Sequence, residues 1–326
     1  MRLVCAFVLV LLFLAEAHAR CDPRERVIRL GLSSQSETPA RTRAVSSLRS
    51  AINLELQGRA CLQVIVDDTL FSTSLSITAM QSGAIEMALP SYSDLAEFSP
   101  DYKIFDLPFA FRDYSAVQRF FVLVGDRLHE RLTRFGVIPL ASWHSHFDQI
   151  SAKKPIVWPT DLAGMKVAGG KRPAATRILA ELDAVEQSVS ASEIAAAIKD
   201  GRIDAQVTDW ASLQDNKTAL VHDGVTQTNH AYHGHRLLVS QVWWENQPAR
   251  IRKSLGELIA RITKQANFDA EQRQINAKRA VINSSARVRG LTKKQRDAWL
   301  HELKPIWDQI ENRTLLDILK MADRAL

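Results

Sequence analysis

The sequence lacks the motifs by which many enzyme classes are recognised. It contains no Gly-x-Ser-x-Gly elbow, no Gly-x-Gly-x-x-Gly fingerprint and no phosphate-binding loop. Hydrolases of the elbow type and the common nucleotide-binding folds are therefore excluded. The chain also has no low-complexity tract, no evident repeat and, after its N-terminal segment, no apolar run long enough to cross a bilayer. These absences favour a protein that binds a partner over one that catalyses a reaction.

The one long apolar run lies at the N-terminus, at Leu3–Ala15, and the small-x-small pattern Ala17-His18-Ala19 follows it. This run is too short for a hydrocarbon core of about 30 Å, so we predict a cleaved signal peptide over residues 1–19 and a soluble, periplasmic mature protein. Lipidation at Cys21 is the alternative, but Arg20 stands where a lipidation site needs a small residue.

Cysteine is scarce, with only three in the chain. Cys5 leaves with the predicted signal, so the mature protein keeps Cys21 and Cys61. An even pair in an oxidising compartment indicates one disulfide. Each cysteine lies beside a predicted strand, and the two sulfurs could meet if those strands are parallel neighbours. Two unpaired thiols are the alternative.

The chain is basic, with a net charge of +6 and a pI near 9.3. Basicity can indicate nucleic acid or an acidic membrane as the partner. Here lysine and arginine alternate with acidic residues along the chain, and the densest cluster, Lys293-Lys294 with Arg296, lies on a predicted helix surface. We therefore expect solvated faces and no nucleic-acid partner.

Strand and helix patterns alternate in the first part of the chain. Their order is strand Val27–Leu32, a helix from Pro39 to Gly58, strand Leu62–Asp67, helix Ser74–Gln81 and strand Ala84–Pro90. Short links between such elements predict an open parallel sheet. Ligands bind beyond the carboxyl ends of parallel strands. The candidate segments there are Ser33–Glu37, Asp67-Asp68 and Ser91-Tyr92-Ser93.

A second α/β unit follows on a smaller scale. Its predicted elements are strand Val137–Trp143, strand Met165–Ala168, helix Pro173–Leu182, helix Glu193–Asp200 and strand Ile203–Thr208. A further predicted strand, Leu237–Val242, returns toward the first unit. If Trp243-Trp244 continues the last strand, its two side chains point to opposite faces and at least one of them is buried.

The C-terminal third is helical. From Pro248 to Ser284 there is no further proline and a single glycine, Gly256. This predicts one long helix, and a helix of that length suits a brace across two lobes. Thr292 opens a capping box for the final helix, which Pro305 should bend or break.

Six segments occur in a fixed order: Gln81–Ala88, Phe105–Asp113, Lys154–Ile156 with Asp161–Val167, Ser192-Glu193 leading to Gly201–Gln206, Asn229–Tyr232 and the long helix. Together they resemble the extracytoplasmic solute receptors of the TRAP transporters, the DctP family. The resemblance extends over nearly the whole mature chain.

The resemblance implies an α/β fold, the two-lobed periplasmic-binding-protein fold with a long helix bracing both lobes. Lobe I would comprise residues 20–144 plus 230–270, and lobe II residues 145–229 plus 271–326. A small organic solute would be enclosed by hinge closure and delivered to the TRAP membrane permease subunits. Neither catalysis nor a cofactor is implied, and we expect a monomer.

Four positions depart from the family's pattern. The family arginine that grips a ligand carboxylate bidentately is replaced by Ala168, and a second family arginine aligns with Asp148. Thr208 replaces an asparagine, and Ala191 replaces an aromatic residue. The usual carboxylate clamp is therefore missing.

Two interpretations of the missing clamp stay open. Either Lys171 or Arg172 reaches the anion instead, or the solute is an amine or a neutral molecule. Asp148 favours the second, because a carboxylate solute would meet a like charge. Asp209 and Trp210 could join Trp143 in holding a cation, by charge and by the ring face.

The candidate ligand-binding residues take different expected roles. They are Ser91, Gln206 and Thr208 for hydrogen bonding, Asp148 and Arg172 for charge selection, Tyr92 and Trp143 for apolar walls, and Glu37, Glu193 and Asp209 for further polar contacts. Glu193 also suits a helix start, where a carboxylate complements the helix dipole.

Five histidines fall in two short stretches: His144, His146, His230, His233 and His235. Imidazoles can bind zinc or copper. The sequence shows no cysteine or acidic residue at metal spacing beside them, so we predict no metal. A histidine-rich metal-binding protein and a ligand-sensing input to a receptor kinase remain the alternative functions.

Overall fold

Strands and helices alternate along the chain, and the computed structural model describes residues 21–33, 39–169 and 173–324. The predicted signal peptide lies outside the described residues, as do Glu37, Lys171 and Arg172. No helix among the described residues is long and apolar enough to span a bilayer.

Eleven strands and eleven α-helices are found in the described ranges. The strands are β1 (Arg26–Leu32), β2 (Ala60–Val66), β3 (Met87–Ala88), β4 (Val137–Phe147), β5 (Gln149–Ala152), β6 (Lys166–Ala168), β7 (Val185–Gln187), β8 (Ala205–Thr208), β9 (Gly224–Gln227), β10 (Tyr232–Ser240) and β11 (Arg287–Gly290). The helices are α1 (Pro39–Glu55), α2 (Thr73–Gln81), α3 (Tyr114–Thr133), α4 (Pro173–Glu181), α5 (Ile194–Lys199), α6 (Trp210–Asp215), α7 (Gln241–Glu245), α8 (Ala249–Ile282), α9 (Lys293–Glu302), α10 (Lys304–Asp308) and α11 (Arg313–Arg324).

The first sheet has the order β2-β1-β3-β10-β4. β1 runs parallel to β2 and to β3, in agreement with the parallel pattern predicted for these strands. β10 then pairs antiparallel with β3, with Leu238 opposite Ala88. The side chains of Ile28, Leu30, Leu48 and Ile52 are fully buried, as expected where the apolar stripe of α1 covers a sheet.

The parallel pairing of β1 and β2 sets Val27 opposite Cys61. Cys21 comes shortly before β1, and a disulfide joins it to Cys61, with the two Cα atoms 5.6 Å apart. This bond closes a loop with a sequence separation of 40 residues that contains the whole of α1.

The second sheet has the order β11-β9-β5-β8-β6-β7. Its central strand β5 is antiparallel to both neighbours, with Gln149 opposite Thr208 and Ile150 opposite Thr226. β6 is parallel to β8 and β7, and β11 is parallel to β9. The result is a mixed α/β architecture.

The described chain divides into two compact units. Unit 1 contains the residues up to Pro90, Phe135–Ala141 and Leu237–Lys264, and unit 2 contains Ser91–Arg134, Ser142–Arg236 and the residues from Gln265 onward. This division differs from the lobes expected from the sequence, chiefly because Ser91–Arg134 groups with unit 2. The boundaries fall inside β4, β10 and α8, so each of these elements contributes residues to both units.

The long helix predicted after Pro248 is present as α8, and the capping box at Thr292 opens α9. A proline and a serine set two further helix boundaries. The final helix breaks at Leu303, just before Pro305, because proline is compatible only with a new first turn. Ser240 ends β10 and caps α7 by accepting a hydrogen bond from the backbone N–H of Trp243.

The predicted strand position of Trp243-Trp244 is therefore wrong. Both tryptophans lie in the short helix α7, where both are partly exposed and neither is buried. The high β-propensity of aromatic residues suggested a continuing strand, but the cap formed by Ser240 starts a helix instead.

Candidate functional site

Three chemically active side chains of unit 2 meet at one point. His146 lies in β4, His233 lies in the neighbouring strand β10, and Asp148 lies where the chain passes from β4 to β5. The Nε2 atom of His233 is 2.8 Å from Oδ2 of Asp148, and Nε2 of His146 is 3.4 Å from Oδ1. We refer to His146, Asp148 and His233 as the His–Asp–His cluster.

The strands hold the two imidazoles side by side. The ring centroids of His146 and His233 are 4.6 Å apart, with an angle of 33° between the rings. Both rings turn the same nitrogen, Nε2, toward Asp148. Two donor atoms on neighbouring strands thus converge on one carboxylate.

The backbone of Asp148 is fixed on both sides. Its N–H donates to the carbonyl of Ala231 at 2.8 Å, and its carbonyl accepts from the N–H of His230 at 3.3 Å. The hydroxyl of Thr228 also donates to that carbonyl, at 3.2 Å. The backbone of Asp148 is therefore tied to the segment that leads into β10.

Burial makes the charge of Asp148 important. Its side chain is 1% exposed, against 12% for His146 and 18% for His233. A carboxylate removed from water is stable only when donors or cations compensate it. The cluster therefore attracts positive charge, from a proton, an ammonium group or a metal ion.

Ser145 sets the orientation of one imidazole. Its hydroxyl lies 2.9 Å from Nδ1 of His146. When Nδ1 carries the proton and donates to this hydroxyl, the lone pair of Nε2 is directed at the centre of the cluster.

Gly234 follows His233 in β10 and permits close packing behind the cluster. A Cβ atom at this position would lie 2.4 Å from Cε2 of Tyr92 and 2.8 Å from the carbonyl oxygen of Trp143. Any larger residue would thus move β10 at the position that presents His233.

Gly234→Ala is accordingly expected to lower the free energy of unfolding by about 1–3 kcal/mol, the usual cost of overpacking. Gly256→Ala provides the matched control, since a Cβ there meets nothing within 4 Å. In the interior of α8 it should stabilise by about 0.5–1 kcal/mol. Urea unfolding of both variants measures whether the free energy of unfolding falls at Gly234 and rises at Gly256. A destabilisation of equal size at both glycines would contradict the packing argument.

Asp209 lies next to the cluster and caps α6. Its carboxylate accepts from the N–H groups of Ala211 and Ser212, from the Ser212 hydroxyl and from the Gln274 amide. Burial alone would raise the pKa of Asp209, but nearby His146 and the hydrogen bonds from Ser212 and Gln274 outweigh it and keep the pKa below its ordinary value. Asp209 is therefore a second fixed negative charge close to His146.

Gln206 is buried inside the second sheet. Its amide donates to the Ser151 hydroxyl at 2.8 Å and to the Thr218 hydroxyl at 3.0 Å. Both amide hydrogens are thus used within unit 2, and the role of Gln206 in binding a ligand stays a prediction. Thr208, at the end of β8, is partly exposed.

Two predicted apolar walls are interior residues. Tyr92 is 2% exposed and Trp143 is 1% exposed. The Tyr92 ring stacks on Phe105 with centroids 4.4 Å apart and lies 6.0 Å from the ring of Tyr232. Ser91, just before Tyr92, bridges to His235 of β10.

Glu193 is exposed and accepts a hydrogen bond from the Ser190 hydroxyl at 2.5 Å. This contact lowers the pKa of Glu193. Glu193 does immediately precede α5, but its side chain makes no capping hydrogen bond. It lies among surface residues and is not part of the His–Asp–His cluster.

Ala168, which the resemblance aligns with a family arginine, is 4% exposed and belongs to a buried apolar cluster with Ile194, Ala197, Ile198 and Ile203. It pairs with Gln206 across the sheet. The alanine side chain thus completes a core and offers nothing to an anion.

The sequence argument against an acidic partner for the histidines was wrong. Asp148 stands two residues after His146, and that spacing was available in the sequence. The contact with His233 was not foreseen, because it depends on the pairing of β4 with β10. Of the ten predicted site residues, Asp148 and Asp209 lie at or beside the cluster, whereas Glu37 and Arg172 lie outside the described residues.

Comparisons with known proteins give a consistent family. Residues 31–314 match the model of DctP, the bacterial extracellular solute-binding proteins of family 7. The C4-dicarboxylate-binding periplasmic protein DctP of Vibrio cholerae is 33% identical over 307 residues, which cover 94% of this chain and 92% of that protein.

Solved structures share the fold. A TRAP periplasmic solute-binding protein from Shewanella oneidensis with bound succinate superposes with a TM-score of 0.76 at 21% identity, covering 92% of this chain and all of the other. One from Ochrobactrum anthropi gives a TM-score of 0.79 at 19% identity and covers 93% of this chain and 96% of the other.

Proposed function

We infer the function of this chain from its family: it belongs to the DctP family, the bacterial extracellular solute-binding proteins of family 7. We propose that it is the periplasmic receptor of a TRAP-type uptake system. It would enclose one small organic solute by hinge closure and deliver that solute to the membrane permease, without chemical change. The observation that carries this proposal is the match to the family over residues 31–314.

The relatives suggest organic acids as the solute class, but this chain differs from the family's pattern where acids would be held. Ala168 and Asp148 stand where the resemblance places two arginines. Without a bound metal ion, the site presents a buried carboxylate, Asp148, and two imidazoles, His146 and His233. Because like charges across a binding site cost several kcal/mol, this form should prefer an amine or a neutral solute to a simple dicarboxylate.

A thermal-shift screen of the mature, chelator-treated protein tests the proposal, with acids, sugars, amines and quaternary ammonium compounds as probes. A solute at about 100 times its Kd should stabilise the protein by about 2.7 kcal/mol, a shift of a few degrees. Uptake of a hit by cells with and without this chain then tests delivery. A chain that is stabilised by no solute class, with or without added metal, would not be a solute receptor.

Asp148→Asn separates the charge of the site from its shape. For an amine hit, we expect this variant to weaken binding by about 1–3 kcal/mol, because a buried ammonium group would lose its charged partner. Asp297→Asn is the matched control, since Asp297 is exposed and pairs with Lys293 on the surface of α9. Unchanged affinity in both variants would exclude Asp148 from the site.

A further inference from the structure

We propose that the His–Asp–His cluster binds a divalent transition-metal ion of the zinc class, and that this ion provides the positive charge for a carboxylate of the solute. The metal site stands on the geometry of His146, Asp148 and His233 alone. The role of the ion toward a solute rests on the function proposed above.

The donor atoms already lie near coordinating positions. One ligand atom from each of the three residues falls within 4.8 Å of the others. Zinc bonds of about 2.0–2.2 Å in a tetrahedral site place neighbouring donors about 3.3 Å apart. The 3.4 Å contact between His146 and Asp148 fits this spacing. The 2.8 Å contact between His233 and Asp148 has to open by only about half an ångström to fit it.

The cluster is also held in place by its surroundings. Neighbouring strands fix the two imidazoles, and three hydrogen bonds to its backbone groups, one of them from the Thr228 hydroxyl, fix Asp148. The Ser145 hydroxyl, at Nδ1 of His146, gives that imidazole the outer partner that histidine ligands of metals usually have. A ligand set that is held in this way loses little freedom when the ion binds.

The ligand types select the class of ion. Two imidazole nitrogens and one carboxylate suit zinc, copper, nickel, cobalt and iron, whereas calcium and magnesium prefer sites made of oxygen. Three protein ligands leave at least one coordination position for water or for an oxygen of the solute.

The ion would change the charge preference of the site by adding two positive charges. Two neutral imidazoles, one carboxylate and a divalent ion carry a net charge of about +1, whereas the same groups without the ion carry about −1, and the neighbouring Asp209 carboxylate subtracts one further charge in both states. Asp148, which repels a carboxylate solute in the metal-free protein, would then serve as the ligand that holds the attracting ion.

Metal titration tests the site without any solute. In calorimetry, chelator-treated mature protein should bind one Zn²⁺ per chain, with no comparable heat from Mg²⁺ or Ca²⁺. Added Co²⁺ should show the visible absorption of cobalt coordinated by protein ligands. His233→Ala and Asp148→Asn should each weaken Zn²⁺ binding by more than about 100-fold. His301→Ala, which removes an exposed histidine of α9, should leave binding unchanged.

Folding of each variant is checked by its thermal melt before titration. His146→Gln, which keeps a polar side chain of similar size, replaces any variant that melts early. Zn²⁺ binding that survives in the folded His146→Gln, His233→Ala and Asp148→Asn variants would overturn the proposal, as would wild-type protein that binds no Zn²⁺ or Co²⁺.

Succinate then tests the role of the ion toward a solute. We expect succinate to stabilise the zinc-loaded protein and not the chelator-treated protein, by a shift of a few degrees. Equal stabilisation in both states would refute this role while leaving the receptor function intact. Zinc binding without stabilisation by any solute class would preserve the metal site and refute the receptor function.

Discussion

Two buried histidines are expected to reduce the free energy of unfolding by about 5 kcal/mol between pH 7 and pH 4. Burial lowers the pKa of His144 from 6.5 to about 4, and burial with the nearby Lys153 charge lowers the pKa of His222 to about 4. Both imidazoles are therefore neutral in the folded protein at pH values where the unfolded chain already binds protons.

The direction in which stability changes with pH follows from proton binding. Between pH 6.5 and pH 4 the unfolded chain holds more protons at these two sites than the folded chain, so stability falls as the pH falls through this range. Glu271 lies 3.8 Å from Nε2 of His144 and acts in the opposite direction, but burial dominates. Well above pH 6.5 both histidines are neutral in the folded and the unfolded chain, and the free energy of unfolding no longer varies with their protonation.

Urea unfolding at pH 7 and pH 5 measures this effect. A His144→Gln, His222→Gln variant should lose about 3–4 kcal/mol less than the wild type over this interval, and His301→Gln serves as the exposed control. Parallel losses in the wild type and the double variant would show that these histidines do not set the acid sensitivity.

Removing the disulfide between Cys21 and Cys61 is expected to lower the free energy of unfolding by about 4 kcal/mol, the entropy of closing a loop of about 40 residues in the unfolded chain. The bond links the segment before β1 to β2. Because β1 and β2 also pair over seven residues in register, the native sheet should persist in the variant while its stability falls.

The Cys21→Ser, Cys61→Ser double variant tests this value by urea unfolding under non-reducing conditions. Wild-type protein treated with a thiol reductant is the control and should approach the variant. An unfolding free energy within about 1 kcal/mol of the oxidised wild type would contradict a loop-entropy effect of this size.

Local patterns were sufficient to predict much of the fold. The apolar spacing of α1, the proline-free stretch of α8 and the capping box at Thr292 each act within a few turns, and each prediction agrees with the structure. Trp243-Trp244 shows the limit of such patterns, because the capping hydrogen bond of Ser240 outweighed the strand preference of the aromatic residues.

The candidate site was less predictable, because strand pairing creates it. His146 and Asp148 are near neighbours in sequence, but His233 joins them only through the position of β10 beside β4. Sequence spacing carries no information on that pairing. The burial of Tyr92 likewise depends on an aromatic core, with Phe105 and Tyr232, that is assembled from distant segments.

The interleaved segments of unit 1 have a consequence for how the protein can be produced. β10 is the second neighbour of β3, but Leu238, which pairs with Ala88, is synthesised about 150 residues later. Folding of this unit therefore depends on a contact between residues that are far apart in the chain, and such contacts form slowly. Any fragment that stops before Leu238 leaves one edge of β3 without its partner strand β10, and an open strand edge can pair with another chain. Expression of isolated halves should fail where expression of the whole chain succeeds.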